Sequence, residues 1–546
     1  MEKEEEYTFL KKIKTPEDLK NIKDLNKLCD EIRKKIVSVV SKNGGHLASN
    51  LGVVELSIAL HKVFSASDDK IIWDVGHQCY AHKILTGRFD EIDGIRTKGG
   101  ISGFPNKTES KYDAFTTGHS STSISSALGL AYSNALNNKN AYTVAVIGDG
   151  ALTGGLAYEG LNNAGKFKKN FIVVLNDNKM SISHNVGAIS QYLTYIRIRP
   201  SYMKMKGKME FWLNKIPFLG KGMIKVLRKM KSVFKGILYN TTIFEDMGFL
   251  YYGPVDGHDL NKLIEVFKRV KELNRPVLVH IVTTKGKGYK FAEKNPKQFH
   301  GVSKFNAQTG DTYPINKSFS NVFGEEICKI AQKNKKVCAI TAAMKSGTGL
   351  TDFSKNYKNR FFDVGIAEEH AVTFAGGLAE GGMIPVVAVY SAFLQRAYDQ
   401  IIHDVAVQNV KVVFAIDRAG FTGNDGENHQ GLFDVAFLNS IPKMKIFAPC
   451  FFDELRFMLN EAIFEYNGFS AIRYPRGGEM YKPNYFKYSG TDFDIIGNEE
   501  SDILIVTYGR TFSNVCLAYE QIRDKFEMDM CIFKLNVIKP LNKEAI

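Results

Sequence analysis

Runs of β-branched and aliphatic residues recur along the chain, each closed by a polar or glycine-rich turn. Residues 142–147, 171–175 and 276–282 are such runs, and their near-continuous apolar character predicts strands buried on both faces of a parallel sheet. A second series begins near Ser318, at 336–340, 384–390 and 410–416, and a last run lies at 502–507. Two polar stretches separate the series. Residues 290–317 carry Pro296, Gly301, Gly310 and Pro314 and read as a linker, and 483–500 forms the second break. The pattern predicts three consecutive α/β units with mainly parallel sheets, at 1–317, 318–490 and 491–546. The third is expected to be truncated, because the chain stops directly after a strand.

One segment departs from this pattern. Residues 197–239 are rich in lysine and place Ile216, Leu219, Ile224, Leu227, Met230, Phe234 and Leu238 at roughly helical spacing. A basic amphipathic segment can lie on a membrane, but more often it covers its own domain, so a flap is expected here.

At 546 residues the chain exceeds a single core, and 44% apolar with 24% charged residues is ordinary for a soluble protein. There is no run of about 18 apolar residues and no secretory apolar stretch after the acidic start, so no membrane span and a cytosolic location are expected. The seven cysteines are dispersed without a C-x-x-C pair, which argues against disulfides and structural zinc. The formal charge of +14 fits phosphorylated anionic ligands. No helix-turn-helix, RNP or zinc-finger pattern accompanies it, so a nucleic-acid partner is not expected.

The chemistry concentrates at strand ends. Gly148-Asp149-Gly150-Ala151 closes one apolar run, and Asn176-Asp177-Asn178 closes the next. If those strands are neighbours, Asp149 and Asn178 emerge together at the carboxyl edge of the sheet, where α/β ligands bind. A carboxylate and an amide oxygen form a hard set suited to Mg²⁺ completed by phosphate oxygens. Gly150 and the helix expected to open at about Thr153 let backbone N–H groups approach a diphosphate. Either turn alone is unremarkable, since Asp, Asn and Gly are common at strand ends. Their ordered pair is much rarer.

The run 148–178 resembles the thiamine-diphosphate motif of the transketolase-like enzymes. The resemblance implies that Asp149 and Asn178 hold Mg²⁺ against the diphosphate. It also implies cofactor contacts from Gly150, Ala151 and Asn178, from His77 in Trp73-Asp74-Val75-Gly76-His77-Gln78, and from Gly118, His119 and Ser120. Thiamine chemistry needs one carboxylic acid in a dry pocket beside the aminopyrimidine. By position alone Glu368 is an acidic residue in a first helical turn, a common placement. By resemblance it is the first acidic residue of an Ala-Glu-x-His stretch, here Ala367-Glu368-Glu369-His370, and so the activating glutamate. Phe393 and Tyr289 resemble further cofactor-site positions.

The blocks around Arg396, Arg418 and Arg476, together with 41–52, 73–87 and 423–431, resemble the deoxyxylulose-phosphate synthases. That likeness implies a transferase joining decarboxylated pyruvate to glyceraldehyde 3-phosphate, an isoprenoid-precursor reaction that also feeds thiamine synthesis, in a homodimer. Arginine suits the acceptor phosphate through bidentate geometry. By likeness Tyr390, Arg396, Arg418 and Arg476 hold that phosphate, and Asp425 and His429 meet the sugar hydroxyls. His46 and His300 stand near the reacting carbonyls, where with His429 they are the candidate proton-handling residues. No acid and base roles are divided among them. His61, His280 and His403 read as core or surface residues. A transketolase or 2-oxo-acid dehydrogenase component is the nearest alternative, disfavoured by the Arg418 and Arg476 blocks and the single-chain layout. A membrane-surface or scaffolding protein, suggested by the basic segment, is the alternative of another class.

Overall fold

The computed structural model describes residues 7–178, 187–198, 242–313, 316–423, 426–526 and 528–546. The expected flap at 197–239 lies outside the described residues, apart from the end of a helix over Ala188–Ile198. The chain forms two compact units that divide between residues 313 and 314.

The first unit is built on five strands, β1 (Lys70–Trp73), β2 (Thr143–Gly148), β3 (Phe171–Asp177), β4 (Leu250–Asp256) and β5 (Val277–Val282). They lie in the order β1-β2-β3-β5-β4, and every pair is parallel. Successive residues of a strand point to opposite faces, and both faces are covered. Val144, Val146, Ile172 and Val174 enter one apolar cluster, while Ala145, Ile147, Val173 and Leu175 enter another. That two-sided burial is why the predicted runs have no polar alternation.

The second unit carries β6 (Val337–Thr341), β7 (Phe361–Asp363), β8 (Ile384–Tyr390), β9 (Val413–Asp417), β10 (Lys445–Phe447), β11 (Ser470–Arg473), β12 (Phe493–Gly497), β13 (Leu504–Tyr508), β14 (Cys531–Leu535) and β15 (Val537–Lys539). Seven of these form one sheet in the order β15-β10-β11-β9-β8-β6-β7, parallel except where β15 runs against β10. Its strands alternate in the same way between two clusters, with Val386 and Val413 on one face and Val387 and Phe414 on the other. The remaining sheet, β12-β14-β13, is mixed, with β12 antiparallel and β13 parallel to β14. Residues 491–546 thus divide between two sheets, because β15 joins the larger one.

Asp149 follows β2, Asn178 follows β3 and Lys285 lies just past β5. Glu368 follows β7, Arg418 follows β9 and Arg476 lies just past β11. In both units the candidate residues therefore sit at the carboxyl edge of a parallel sheet.

Candidate active site

In the first unit the register of β2 on β3 pairs Gly148 with Asn176, and the Asp149 N–H donates to the Asn176 carbonyl at 3.1 Å. The strand ends are therefore neighbours, as expected. Asp149 is 2% exposed, and the Asn178 backbone N–H donates to its carboxyl. Burial and then the adjacent Asp177 charge push the Asp149 carboxyl up, against the pull of Lys285. Asp177 is itself tied inward. The Nε2–H of His280 donates to it at 3.0 Å, and the Tyr251 hydroxyl meets His280 Nδ1 at 2.7 Å. His280 is a buried strand residue, as read from the sequence, but it also belongs to a polar chain ending at Asp149. One local expectation changes. Residues Ala151–Thr153 form a 3₁₀ turn, and the α-helix begins at Gly155, because Gly154 in extended conformation separates the two.

Three of the predicted histidines come together. The rings of His46 and His77 are 5.2 Å apart, His77 and His300 5.2 Å, and His46 and His300 5.7 Å. Burial, then the charges of Lys285 and His77, hold the His300 imidazole well below its ordinary range, so it is neutral. Ser49 Oγ lies 3.3 Å from His300 Nδ1. The segment 118–120 is fastened by Asp74, a buried residue directly after β1. Its two carboxylate oxygens accept from the Ser121 N–H at 2.8 Å and the Ser123 N–H at 3.0 Å. Gly118 and Ser120 are buried and His119 is half-buried. Tyr289 is placed for packing, its hydroxyl donating to the Ala307 carbonyl at 2.9 Å and its ring against Phe291, Phe299 and Phe305.

In the second unit Glu368 opens the helix Glu368–Glu380 and is 2% exposed. Burial pushes its carboxyl up to about 7, against the charge of Arg396. Arg396 Nη1 lies 3.6 Å from Glu368 Oε2, so this arginine faces the carboxyl. Elsewhere in the unit the Arg418 guanidinium sits 3.8 Å above the Tyr390 ring, a cation–π contact. Tyr390 stacks on Phe393 at 5.8 Å, and Phe393 meets the His429 ring at 5.4 Å. Arg476 Nη1 donates to the Thr422 carbonyl at 3.2 Å, within the loop that a Gly420–Gly431 bridge closes. Asp425 lies outside the described residues.

Several residues without a role in the sequence reading belong to these clusters. Lys285 is buried, and burial lowers its amine to about 8 while Asp149 resists that shift. Nothing in Lys285-Gly286-Lys287 separates it from exposed Lys287 except its place after a buried strand. Asp417, fully buried at the end of β9, accepts from Ser320 Oγ at 2.6 Å and lies beside the charges of Arg418 and Arg476. Arg510 donates to the Arg476 carbonyl at 2.6 Å and braces that turn. All seven cysteines are free thiols, and burial raises those of Cys29 and Cys79 to about 12, which removes them as nucleophiles.

Residues 10–283 match the family model described as 1-deoxy-D-xylulose-5-phosphate synthase, and 316–479 match the transketolase pyrimidine binding domain. A 1-deoxy-D-xylulose-5-phosphate synthase of Clostridium tetani is 50% identical over 97% of this chain and 86% of its own length. The chain belongs to the 1-deoxy-D-xylulose-5-phosphate synthase family. The synthase of Natranaerobius thermophilus is also 50% identical, over 98% of this chain and 86% of its own. A transketolase from Leishmania mexicana covers 95% of this chain and 87% of its own at 16% identity, with a TM-score of 0.38. Among the described residues no helix is long and apolar enough to cross a membrane.

Proposed function

We propose that this chain performs the reaction of the 1-deoxy-D-xylulose-5-phosphate synthases with the residues assigned above. Pyruvate loses CO₂, and its remaining two carbons join glyceraldehyde 3-phosphate to give 1-deoxy-D-xylulose 5-phosphate. The observation that carries the site assignment is the pairing of β2 with β3, which sets Asp149 beside Asn178. The donor set there fits Mg²⁺ and a diphosphate. Asp149 presents a buried carboxyl whose ionised form is made costly by burial and by the adjacent Asp177 charge. A divalent ion would favour that ionised form. Among the described residues no group of three or more His, Cys, Asp or Glu side chains is arranged to hold a metal ion. Asp149 and Asn178 would supply part of an octahedral shell, with phosphate oxygens and water among the other ligands.

Bound thiamine diphosphate supplies the carbon nucleophile and the electron sink for decarboxylation. The chain supplies the surroundings. Glu368, protonated to a large extent near neutrality, is suited to donate to a ring nitrogen from a dry pocket. Neutral His300, with His46, offers hydrogen bonds to a reacting carbonyl, while His77 meets the cofactor. Arg418 and Arg476 are set to bind a phosphate by charge and bidentate hydrogen bonds, with His429 at the acceptor hydroxyls. Asp425 is assigned there by likeness alone. A cytosolic homodimer completes the reading.

A coupled assay decides it. CO₂ release from pyruvate that depends on glyceraldehyde 3-phosphate is expected, with Glu368→Ala abolishing turnover while calorimetry still detects thiamine diphosphate. Ketol transfer between sugars without CO₂ release, or full activity of Glu368→Ala, would overturn the assignment.

A further inference from the structure

The five-residue helix Leu47–Leu51 lies at the centre of the histidine cluster. His46 caps it, Ser49 reaches His300, and the Ala48 carbonyl accepts from the Gly286 N–H at 2.8 Å, next to Lys285. Asn50 of this helix is fully buried. Its Nδ2 donates to the His46 carbonyl at 2.6 Å and to the His77 carbonyl at 2.7 Å, and its Oδ1 accepts from the Tyr80 N–H at 2.8 Å. Two acceptors on one end and a donor on the other leave a single way for the amide to face. No other standard side chain of this length offers two donors and an acceptor in this arrangement. Aspartate would set a carboxylate against two carbonyl oxygens.

We infer that Asn50 is a positioning residue of the reaction, fixing the backbone of His46 to that of His77 so that the two rings keep their 5.2 Å separation. The inference rests on the assignment of His77 to the cofactor and His46 to the reacting carbonyl. The His46 and His77 backbones lie 31 positions apart in sequence and belong to different loops, and the amide is a direct bridge between them. The Tyr80 hydroxyl gives a second, longer tie, accepting from the His46 N–H at 3.3 Å. Without the bridge either loop can shift relative to the other, and displacements near 1 Å cost about a hundredfold in rate.

The test compares Asn50→Asp and Asn50→Ser with Ser57→Ala. Ser57 is equally buried, and its hydroxyl donates to the Val53 carbonyl at 2.8 Å in the adjoining helix. Each purified chain is melted, titrated with thiamine diphosphate and Mg²⁺ by calorimetry, and assayed for kcat and KM at saturating cofactor. We expect the Asn50 variants to bind the cofactor about tenfold more weakly or worse. Their kcat should fall about a hundredfold, with the KM for glyceraldehyde 3-phosphate within about threefold of the parent because the phosphate arginines are untouched. Ser57→Ala should lower the melting temperature and leave binding and kcat within about twofold of the parent. Folded Asn50 variants that bind and turn over like the parent overturn the inference. Variants that no longer fold overturn it too, since Asn50 is then a residue of stability. A parent chain that does not bind thiamine diphosphate instead removes the underlying cofactor assignment, and it shows this before any variant is compared.

Discussion

Glu368→Gln in the cofactor-free protein tests the buried carboxyl directly. A group moved from its ordinary 4.5 to about 7 is harder to ionise in the folded chain. At 1.36 kcal/mol per tenfold, ionising it there costs about 3 kcal/mol more than in the unfolded chain. The folded state thus binds more protons than the unfolded state between pH 4.5 and 7. Stability falls as pH rises through that window and levels off above it. Glutamine has the same shape and does not titrate, so it removes the slope. The attraction of the Arg396 guanidinium, 3.6 Å away, is already part of the shift to about 7 and adds no separate offset. The variant should therefore match the parent below pH 4.5, where both side chains are neutral, and be about 3 kcal/mol more stable at pH 8. Urea unfolding of both proteins between pH 4 and 8, followed by far-UV circular dichroism, measures the difference. A difference curve flat to within about 1 kcal/mol would refute the argument that burial dominates this group.

Three further outcomes follow from the same geometry. Asp149→Asn removes a buried carboxyl crowded by Asp177, so the cofactor-free protein should melt no lower than the parent, while calorimetry shows at least about a hundredfold weaker thiamine diphosphate and Mg²⁺ binding. Arg418→Lys keeps the charge but loses the planar face over Tyr390, and should raise the KM for glyceraldehyde 3-phosphate about tenfold with a smaller change in kcat, read by steady-state kinetics. Val75 holds φ of 58°, a left-handed conformation costly for a β-branched residue. Val75→Gly should therefore cost less than about 1 kcal/mol in urea unfolding, the relieved strain offsetting the lost side chain.

The parts of this molecule readable from the chain are those that depend on local pattern. Residues 171–175 announce β3 because both of its faces are covered, leaving no position for a polar side chain. Asp149 and Asn178 are legible because each ends such a run, whereas Glu368, in a common first-turn placement, is legible only through the Ala-Glu-x-His resemblance. Asn50, by contrast, is a polar residue in a short helix, and its partners His77 and Tyr80 lie 27 and 30 residues away. His280 looks like any isolated histidine in an apolar strand until β5 is laid against β3, which brings it to Asp177. Lys285 acquires meaning only from Asp149, in a different strand loop. These roles arise from strand order and register.

The two units also share a way of making their loops rigid, a carboxyl at or just past a strand end, buried at Asp74 and Asp417 and half-buried at Asp363. Asp74 after β1 accepts from the Ser121 and Ser123 N–H groups, and Asp363 at the end of β7 accepts from the Ala343 N–H at 2.9 Å. Asp417 at the end of β9 takes the Ser320 hydroxyl. Beside these carboxyls stand non-glycine residues in left-handed conformation, Val75 and Ser121 at Asp74, Ala343 at Asp363 and Arg418 at Asp417. Each such residue costs on the order of 1 kcal/mol, and each buried carboxylate costs more unless N–H groups surround it. A fold selected for stability alone has no reason to combine both costs at the carboxyl edges of its sheets. What the combination gives is loops with one backbone path, and through them fixed positions for His77, the 118–120 segment and Arg418. Rigid placement is what a reaction needs when its carbon chemistry comes from a bound group and the protein's share is orientation and charge.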